Sequence, residues 1–206
     1  MTTNELTLER VFSAPDLSSA PPQRVRFSPD GRCVTFLKPS SVDHQTLDLW
    51  RHDRATGTTE RLIEASDLIE QGRVLSDAEK ALRERRRISH GGITDYDWSP
   101  DSTALLFPLQ GNLFLYHLAD GRVERLTHSD THETHVSFAP DGRHLAFARE
   151  QNLWVMALDG ENRARQLTTH GGGTMTVGVP EFIAQEEMHR FDGYWWSPDS
   201  RHIACF

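Results

Sequence analysis

The sequence predicts an all-β protein built from repeated four-stranded units. Three observations lead to this prediction: a globular composition, a turn motif that occurs four times, and short apolar runs on both sides of each copy. The chain has 206 residues, of which 37% are hydrophobic and 25% are charged. These values lie inside the range of globular proteins and outside those of disordered and coiled-coil chains, so a packed core is expected.

The repeated motif is an aromatic residue followed by Ser or Ala, then Pro, Asp, and Gly or Ser. Its four copies occupy residues 27–31, 98–102, 138–142 and 196–200. Pro pre-sets φ in a turn, Asp can accept hydrogen bonds from the turn backbone, and Gly tolerates a positive φ. Each copy therefore predicts a β-hairpin. Because Ser102 and Ser200 replace the Gly, we expect the second and fourth turns to differ in type from the other two.

Further strands follow each hairpin in the same order. The third strands are expected at 47–50, 112–116 and 152–156, and the fourth strands at 60–62, 125–127 and 166–168. Pro100 and Pro140 are 40 residues apart, and this step with four strands matches the blade of a β-propeller. A single β-sandwich would not predict such self-similarity. The sequence therefore predicts a partial β-propeller of about three and a half four-stranded blades.

Two steps between motifs are longer than 40 residues, and the first excess predicts a helical arm over 63–94. Residues 76–79 read Ser-Asp-Ala-Glu, a capping-box pattern, and helix formers continue to Ile88. Acidic residues come early in this helix and arginines come late, as the helix dipole favours. The arginines are Arg83, Arg85, Arg86 and Arg87. They form either a solvated helical face or an arm that presents an Arg to a substrate carbonyl.

The second excess, 170–193, predicts a loop followed by a short helix that begins at Pro180. Glu181, Glu186 and Glu187 place three carboxylates on this helix. Adjacent helical residues point about 100° apart, so Glu186 and Glu187 can converge only on a group at the helix rim. A primary ammonium has three donors and can bind two carboxylates by charge-assisted hydrogen bonds. The alternative interpretation is a pair of solvated surface acids.

The Glu186-Glu187 pair, followed by Tyr-Trp-Trp-Ser-Pro-Asp at 194–199, resembles the double-glutamate segment of the dipeptidyl peptidase IV family of serine peptidases. Residues 75–85 look like the helical arm of bacterial members, so the resemblance covers nearly the whole chain. It implies an eight-bladed propeller stacked on an α/β-hydrolase domain. It also implies that Glu186 and Glu187 bind the free N-terminus of a peptide while a Ser-Asp-His triad cleaves after the second residue, usually Pro or Ala.

The nucleophile motif G-x-S-x-G is absent from all 206 residues, and three and a half blades cannot close a ring. We therefore expect 1–206 to be the N-terminal part of a longer enzyme and to be inactive by itself. The expected partners are peptides with a free N-terminus, the C-terminal hydrolase domain and, at full length, a second copy. No cofactor is expected. A non-catalytic TolB-like propeller is the alternative, as is an oligopeptidase or acylaminoacyl peptidase, which needs no ammonium trap.

Composition argues against several other classes of function. Lys and Arg number 22 and Asp and Glu number 30, giving a formal charge of −8 that does not suit a nucleic-acid partner. No signal-peptide core or run of about 18 apolar residues is visible, so no membrane partner is expected. This pattern favours the cytoplasm, or the periplasm where a signal peptide has been removed.

Cysteine and histidine spacing predicts no metal site. Cys33 and Cys205 form neither a disulfide framework nor a metal knuckle, and both are expected to be buried, reduced residues on strands. His128, His132 and His135 lack the i,i+4 spacing of a zinc-binding helix. They are expected to lie on a blade turn and the strand after it.

Overall fold

A computed structural model of the chain describes residues 6–13, 21–39, 45–70, 72, 77–85, 87–128 and 131–206. Three four-stranded antiparallel sheets and one hairpin follow each other along this part of the chain. Blade 1 contains β1 (Gln23–Phe27), β2 (Cys33–Pro39), β3 (Thr46–Asp53) and β4 (Thr59–Ile63), with β5 (Gly91–Gly92) parallel to the start of β3. Blade 2 contains β6 (Asp97–Trp98), β7 (Ala104–Leu109), β8 (Asn112–His117) and β9 (Val123–Arg125). Blade 3 contains β10 (Thr134–Phe138), β11 (His144–Arg149), β12 (Asn152–Ala157) and β13 (Ala164–Gln166). Blade 4 begins with β14 (Tyr194–Trp196) and β15 (Ile203–Cys205).

The strands of each blade pair in chain order, so the predicted all-β fold of about three and a half blades is confirmed. Helix α1 spans Leu8–Phe12, α2 spans Asp77–Arg85 and α3 spans Phe182–Glu186, and a 3-10 turn spans Ala65–Asp67. Helix α2 lies inside the first predicted insertion, and α3 lies inside the second. No helix in the described part of the chain is long and apolar enough to cross a membrane.

The four motif turns adopt the same backbone conformation. Gly31 and Gly142 have φ values of 71° and 69°, and Ser102 and Ser200 have φ values of 62° and 60°. The expectation that the serine turns differ in type is therefore wrong. The two serines adopt the left-handed conformation and also bond to the preceding blade, because Ser102 Oγ accepts from Asp30 N at 3.1 Å and Ser200 Oγ accepts from Asp141 N at 2.9 Å.

The fourth strands of blades 2 and 3 end two residues earlier than predicted. Side-chain bonds extend the pairing there: Leu113 N donates to Thr127 Oγ1 at 2.9 Å, and Leu153 N donates to Thr168 Oγ1 at 3.0 Å. A threonine hydroxyl thus takes the place of a backbone carbonyl. The backbone pairing continues for one residue, because Leu126 N donates to Leu113 O and Leu167 N donates to Leu153 O, each at 2.8 Å.

Apolar clusters fill the seams between neighbouring blades. One seam packs blade 1 on blade 2 around Leu49 and Phe107, and the next packs blade 2 on blade 3 around Leu106 and Phe147. Cys33 is buried, as expected, whereas Cys205 is exposed, which corrects the expectation for that residue. Cys205 lies on β15, whose side chains are largely exposed within the described structure because no further strand covers them.

The blades alternate between two types. The residue two positions before the motif aromatic is Val25, Tyr96, Val136 and Tyr194 in blades 1 to 4. The aromatic alternates Phe, Trp, Phe, Trp, and the last motif residue alternates Gly, Ser, Gly, Ser. Both long insertions precede a blade of the Tyr-Trp-Ser type. Blades 1 and 2 thus form a two-blade unit that blade 3 and the first hairpin of blade 4 begin to repeat.

Candidate functional site

Helix α3 carries the candidate glutamate pair and is anchored by its own first turn. Glu181 is the N-cap, and its carboxylate accepts from Ile183 N at 2.8 Å and from Ala184 N at 2.9 Å. Ala184 and Gln185 are buried, and Gln185 Nε2 donates to Pro180 O at 2.6 Å. The helix therefore begins one residue after the N-cap rather than at Pro180, and Glu181 has a capping role.

Glu186 and Glu187 lie at the C-terminal end of α3. Glu186 is half-buried and Glu187 is exposed. Among the described residues, neither carboxylate has a hydrogen-bond or ion-pair partner. Glu187 N donates to Ile183 O at 2.9 Å, so the backbone at the pair is fixed. The site consists of two unneutralised negative charges on an ordered helix end, where the helix dipole also favours a cation.

The segment after α3 returns to blade 4 and fixes the helix from that side. Arg190 N donates to Ala184 O at 2.9 Å, and the Arg190 guanidinium lies 4.2 Å from the ring centroid of Phe206. Phe206 stacks on Trp195 with centroids 5.6 Å apart. The end of α3 is therefore connected to the blade 4 hairpin.

The predicted arm arginines have different environments. The Arg85 guanidinium lies 5.5 Å from the ring centroid of Phe182, the first residue of α3. Arg83 donates to His90 O and lines the cavity described below. Arg87 is exposed with φ 52° after the end of α2. Arg86 lies outside the described residues. The structure thus brings Arg85 against α3, and the substrate-binding role of the arm stays a prediction.

A cavity of about 720 Å³ lies beside the leading strands of blades 2, 3 and 4. Its lining includes Asp192, Tyr194 and Trp195 from the segment after α3, and Arg83 from the arm. Glu186 and Glu187 do not line it. The insertion that carries the glutamate pair thus supplies part of the cavity wall through other residues.

An ionic cluster lies on the blade 1 and blade 2 side of this cavity. Arg26 donates to Asp97 at 3.0 Å and to Asp95 at 3.2 Å, and Arg24 lies 3.9 Å from Asp95. The Asp97 side chain is 41% exposed and lines the cavity wall. Burial there raises the pKa of Asp97, and Arg26 opposes this effect.

Two tyrosines hold the leading strands of blades 2 and 4 against the blade before. The Tyr96 hydroxyl donates to Arg24 O at 2.7 Å. The Tyr194 hydroxyl bonds to Ala146 O at 2.7 Å, to His135 O, and to Ser137 Oγ at 3.0 Å. Burial raises the pKa of Tyr96 to about 12 and raises the pKa of Tyr194 further. Both phenols therefore stay protonated and act as donors.

The sequence did not indicate a buried ion pair in the first hairpin of blade 3, which also bonds to Thr127 of blade 2. The Glu133 side chain is fully buried, and it accepts from Arg149 Nε at 2.8 Å and from Thr127 Oγ1 at 2.9 Å. The Arg149 guanidinium also lies 4.8 Å from the Trp154 ring centroid. The sequence draws attention to the histidines on either side of Glu133, because they suggest a metal. Among the described residues, no group of three or more His, Cys, Asp or Glu side chains could hold a metal ion.

Part of the chain is similar in sequence to known proteins. Residues 108–206 match the family model described as the dipeptidyl peptidase IV (DPP IV) N-terminal region. The chain is 30% identical over 143 residues to dipeptidyl peptidase 8 of Mus musculus, covering 61% of this chain and 16% of the relative. It is 29% identical over 141 residues to dipeptidyl peptidase 8 of Homo sapiens, covering 60% of this chain and 16% of that protein.

A solved structure shares the fold. The crystal structure of Porphyromonas gingivalis dipeptidyl peptidase 4 matches with a TM-score of 0.60 at 21% identity, covering 90% of this chain and 25% of that chain. The matched region spans 16% of the length of each of the two curated relatives. The chain therefore shares the partial-propeller fold of that structure, and its residues 108–206 are similar to the N-terminal region of the dipeptidyl peptidase IV family.

Proposed function

We propose that this chain is the substrate-selecting propeller part of a longer serine exopeptidase that releases N-terminal dipeptides. The observation that carries the proposal is the Glu186-Glu187 pair, whose carboxylates are unneutralised by any described residue and sit on a helix fixed at both ends. A primary ammonium supplies the donors that such a pair lacks. The names of the relatives, which are dipeptidyl peptidases, support the same activity.

The glutamate pair sets the length of the product. In the proposed binding mode the ammonium lies two residues from the scissile carbonyl, a span of about 7 Å for an extended chain. A longer N-terminal extension would collide with α3, and a blocked N-terminus would lose the charge that the pair binds. Cleavage after Pro or Ala and a serine nucleophile on a C-terminal hydrolase domain complete the proposal, together with homodimerisation at full length.

A non-catalytic TolB-like binding module is the second candidate. The motif turns do not separate the two candidates, because all four turns are explained by backbone conformation alone. The insertion does separate them. A scaffold blade needs neither the extra residues of 170–193 nor two adjacent carboxylates without a partner among the described residues, so this feature favours the peptidase.

The test compares free and N-acetylated dipeptidyl substrates in the full-length protein. Each charge-assisted hydrogen bond contributes about 1.5–3 kcal/mol, so Glu186→Gln and Glu187→Gln should each lower kcat/KM for the free substrate about ten- to a hundredfold. Glu161→Gln is the matched control, because Glu161 lies on the β12–β13 turn with a 67% exposed side chain. Equal turnover of free and acetylated substrates by the wild-type protein would contradict the ammonium-binding role.

A further inference from the structure

The two long insertions meet at one contact. Arg85 belongs to the last turn of α2 in the first insertion, and Phe182 is the first residue of α3 in the second. The guanidinium carbon of Arg85 lies 5.5 Å from the Phe182 ring centroid, within the range of a cation–π interaction. Phe182 is 58% exposed, so its ring lies on the surface rather than in a blade core.

This contact falls on the helix face that carries one of the candidate glutamates. Phe182 and Glu186 are four residues apart on α3, and residues at i and i+4 lie one turn apart on the same face. The opposite face is fixed by buried Ala184. The C-terminal end is fixed by the bond from Arg190 N to Ala184 O. Arg85 therefore contacts, from the arm, the exposed face of α3 that carries Glu186.

We propose that Arg85 is a positioning residue that couples the arm to α3. Its guanidinium holds the Phe182 ring and thereby the orientation of Glu186 and Glu187. A docked arm then strengthens recognition of a peptide N-terminus, and the two insertions work as one unit. The effect on substrate rests on the proposed function, whereas the effect on α3 is a property of the fold.

The experiment measures α3 directly and catalysis separately, both in the full-length protein. Hydrogen exchange is followed at Gln185 N and Glu187 N, which donate to Glu181 O and Ile183 O. Exposed cation–π contacts have modest energies, so Arg85→Ala should speed exchange about two- to fivefold. KM for a free dipeptidyl substrate should rise by a similar factor with kcat unchanged, since the contact supports binding in the ground and transition states alike.

Three further variants separate positioning from a general loss of structure. Arg85→Lys keeps a cation over the ring and should restore most of the wild-type exchange and KM. Phe182→Leu removes the aromatic ring and should change exchange and KM as much as Arg85→Ala does. It therefore tests the same contact if the Arg85→Ala protein does not fold. Arg163→Ala is the matched control, because Arg163 is 84% exposed on the blade 3 turn, and it should leave both measurements unchanged.

The double variant R85A/F182L decides the coupling. If the two residues act through their contact, the double variant should match either single variant. Additive effects, or wild-type exchange in Arg85→Ala, would overturn the proposal. If exchange in α3 responds as expected but Glu186→Gln and Glu187→Gln leave kcat/KM intact, the positioning role stands and the proposed ammonium-binding function fails.

Discussion

The seam between blades 1 and 2 and the seam between blades 3 and 4 are built on one plan. In each, the tyrosine of the later blade bonds to a backbone carbonyl of a residue with positive φ in the earlier blade: Tyr96 to Arg24 at φ 50°, and Tyr194 to His135 at φ 53°. Each of these residues lies where the register of the leading strand shifts. The backbone carbonyls at these register shifts thus accept hydrogen bonds from tyrosine hydroxyls of the next blade.

The two seams differ in their charged and polar contacts. The first contains the Arg26, Asp95 and Asp97 cluster. The sequence positions equivalent to these three residues in the second seam are Ser137, Gly193 and Trp195. An ionic cluster is therefore replaced by a neutral hydroxyl, a glycine and an aromatic ring.

A second difference concerns the motif tryptophans. Trp98 Nε1 donates to Thr35 Oγ1 at 2.9 Å, whereas Trp196 Nε1 is buried without a partner among the described residues. Ala146 occupies the strand position equivalent to Thr35, since Thr35 pairs with Arg26 and Ala146 pairs with Ser137. Both seams thus share the tyrosine hydroxyl bond, made by Tyr96 or Tyr194 to the preceding blade, and the serine turn. Their remaining contacts differ.

We expect the largest effect from a substitution at Gly193, in the seam between blades 3 and 4. A Cβ at Gly193 would lie 2.4 Å from Gly178 C and 2.6 Å from Gly178 O, so Gly193→Ala should separate the two segments that bridge there. We expect a local loss of about 3 kcal/mol, measured by hydrogen exchange across β14 in the full-length protein. Gly91→Ala is the matched control from the first insertion, because its Cβ meets nothing closer than 3.6 Å. Equal effects of the two substitutions would contradict this account.

The hydroxyls of Tyr96 and Tyr194 should contribute unequally to the stability of their seams. Tyr194→Phe removes a buried hydroxyl that contacts three oxygens, and we expect it to cost about 2 kcal/mol. Tyr96→Phe removes a hydroxyl that donates to Arg24 O and should cost about 1 kcal/mol. Exchange of the β14 and β6 amides measures the two seams separately. A larger loss of stability in Tyr96→Phe than in Tyr194→Phe would show that the ionic cluster depends on the Tyr96 hydroxyl.

The smallest effects come from exchanging the tryptophan partners. Thr35→Ala removes the acceptor of Trp98 Nε1 and should destabilise the first seam by about 1–2 kcal/mol. Ala146→Thr supplies an acceptor to Trp196 Nε1 and should stabilise the second seam by about 1 kcal/mol. Tryptophan fluorescence during denaturant unfolding and amide exchange in β14 measure the changes. Destabilisation by Ala146→Thr would mean that the second seam lacks room for the hydroxyl.

The blades and the turns of this protein follow from local sequence patterns. The motif turns depend on Pro, Asp and a left-handed closing residue, and strand spacing depends on apolar alternation, so both are encoded within a few neighbouring residues. The sequence also indicated a short helix bearing Glu186 and Glu187, and the alternation of two blade types is visible in it once the blades are compared. The different turn type expected at the serines was wrong, because serine adopts the same φ when its hydroxyl bonds to the preceding blade.

Only the tertiary structure decided which distant residues meet. Tyr194 and Ala146, and Arg85 and Phe182, come together because neighbouring blades and insertions pack against each other. Turn and strand signals act within a blade and carry no information on contacts across a seam. The exposure of Cys205 and the unpartnered Trp196 Nε1 follow from the same cause, since each depends on what lies opposite in space rather than on its own neighbours in sequence.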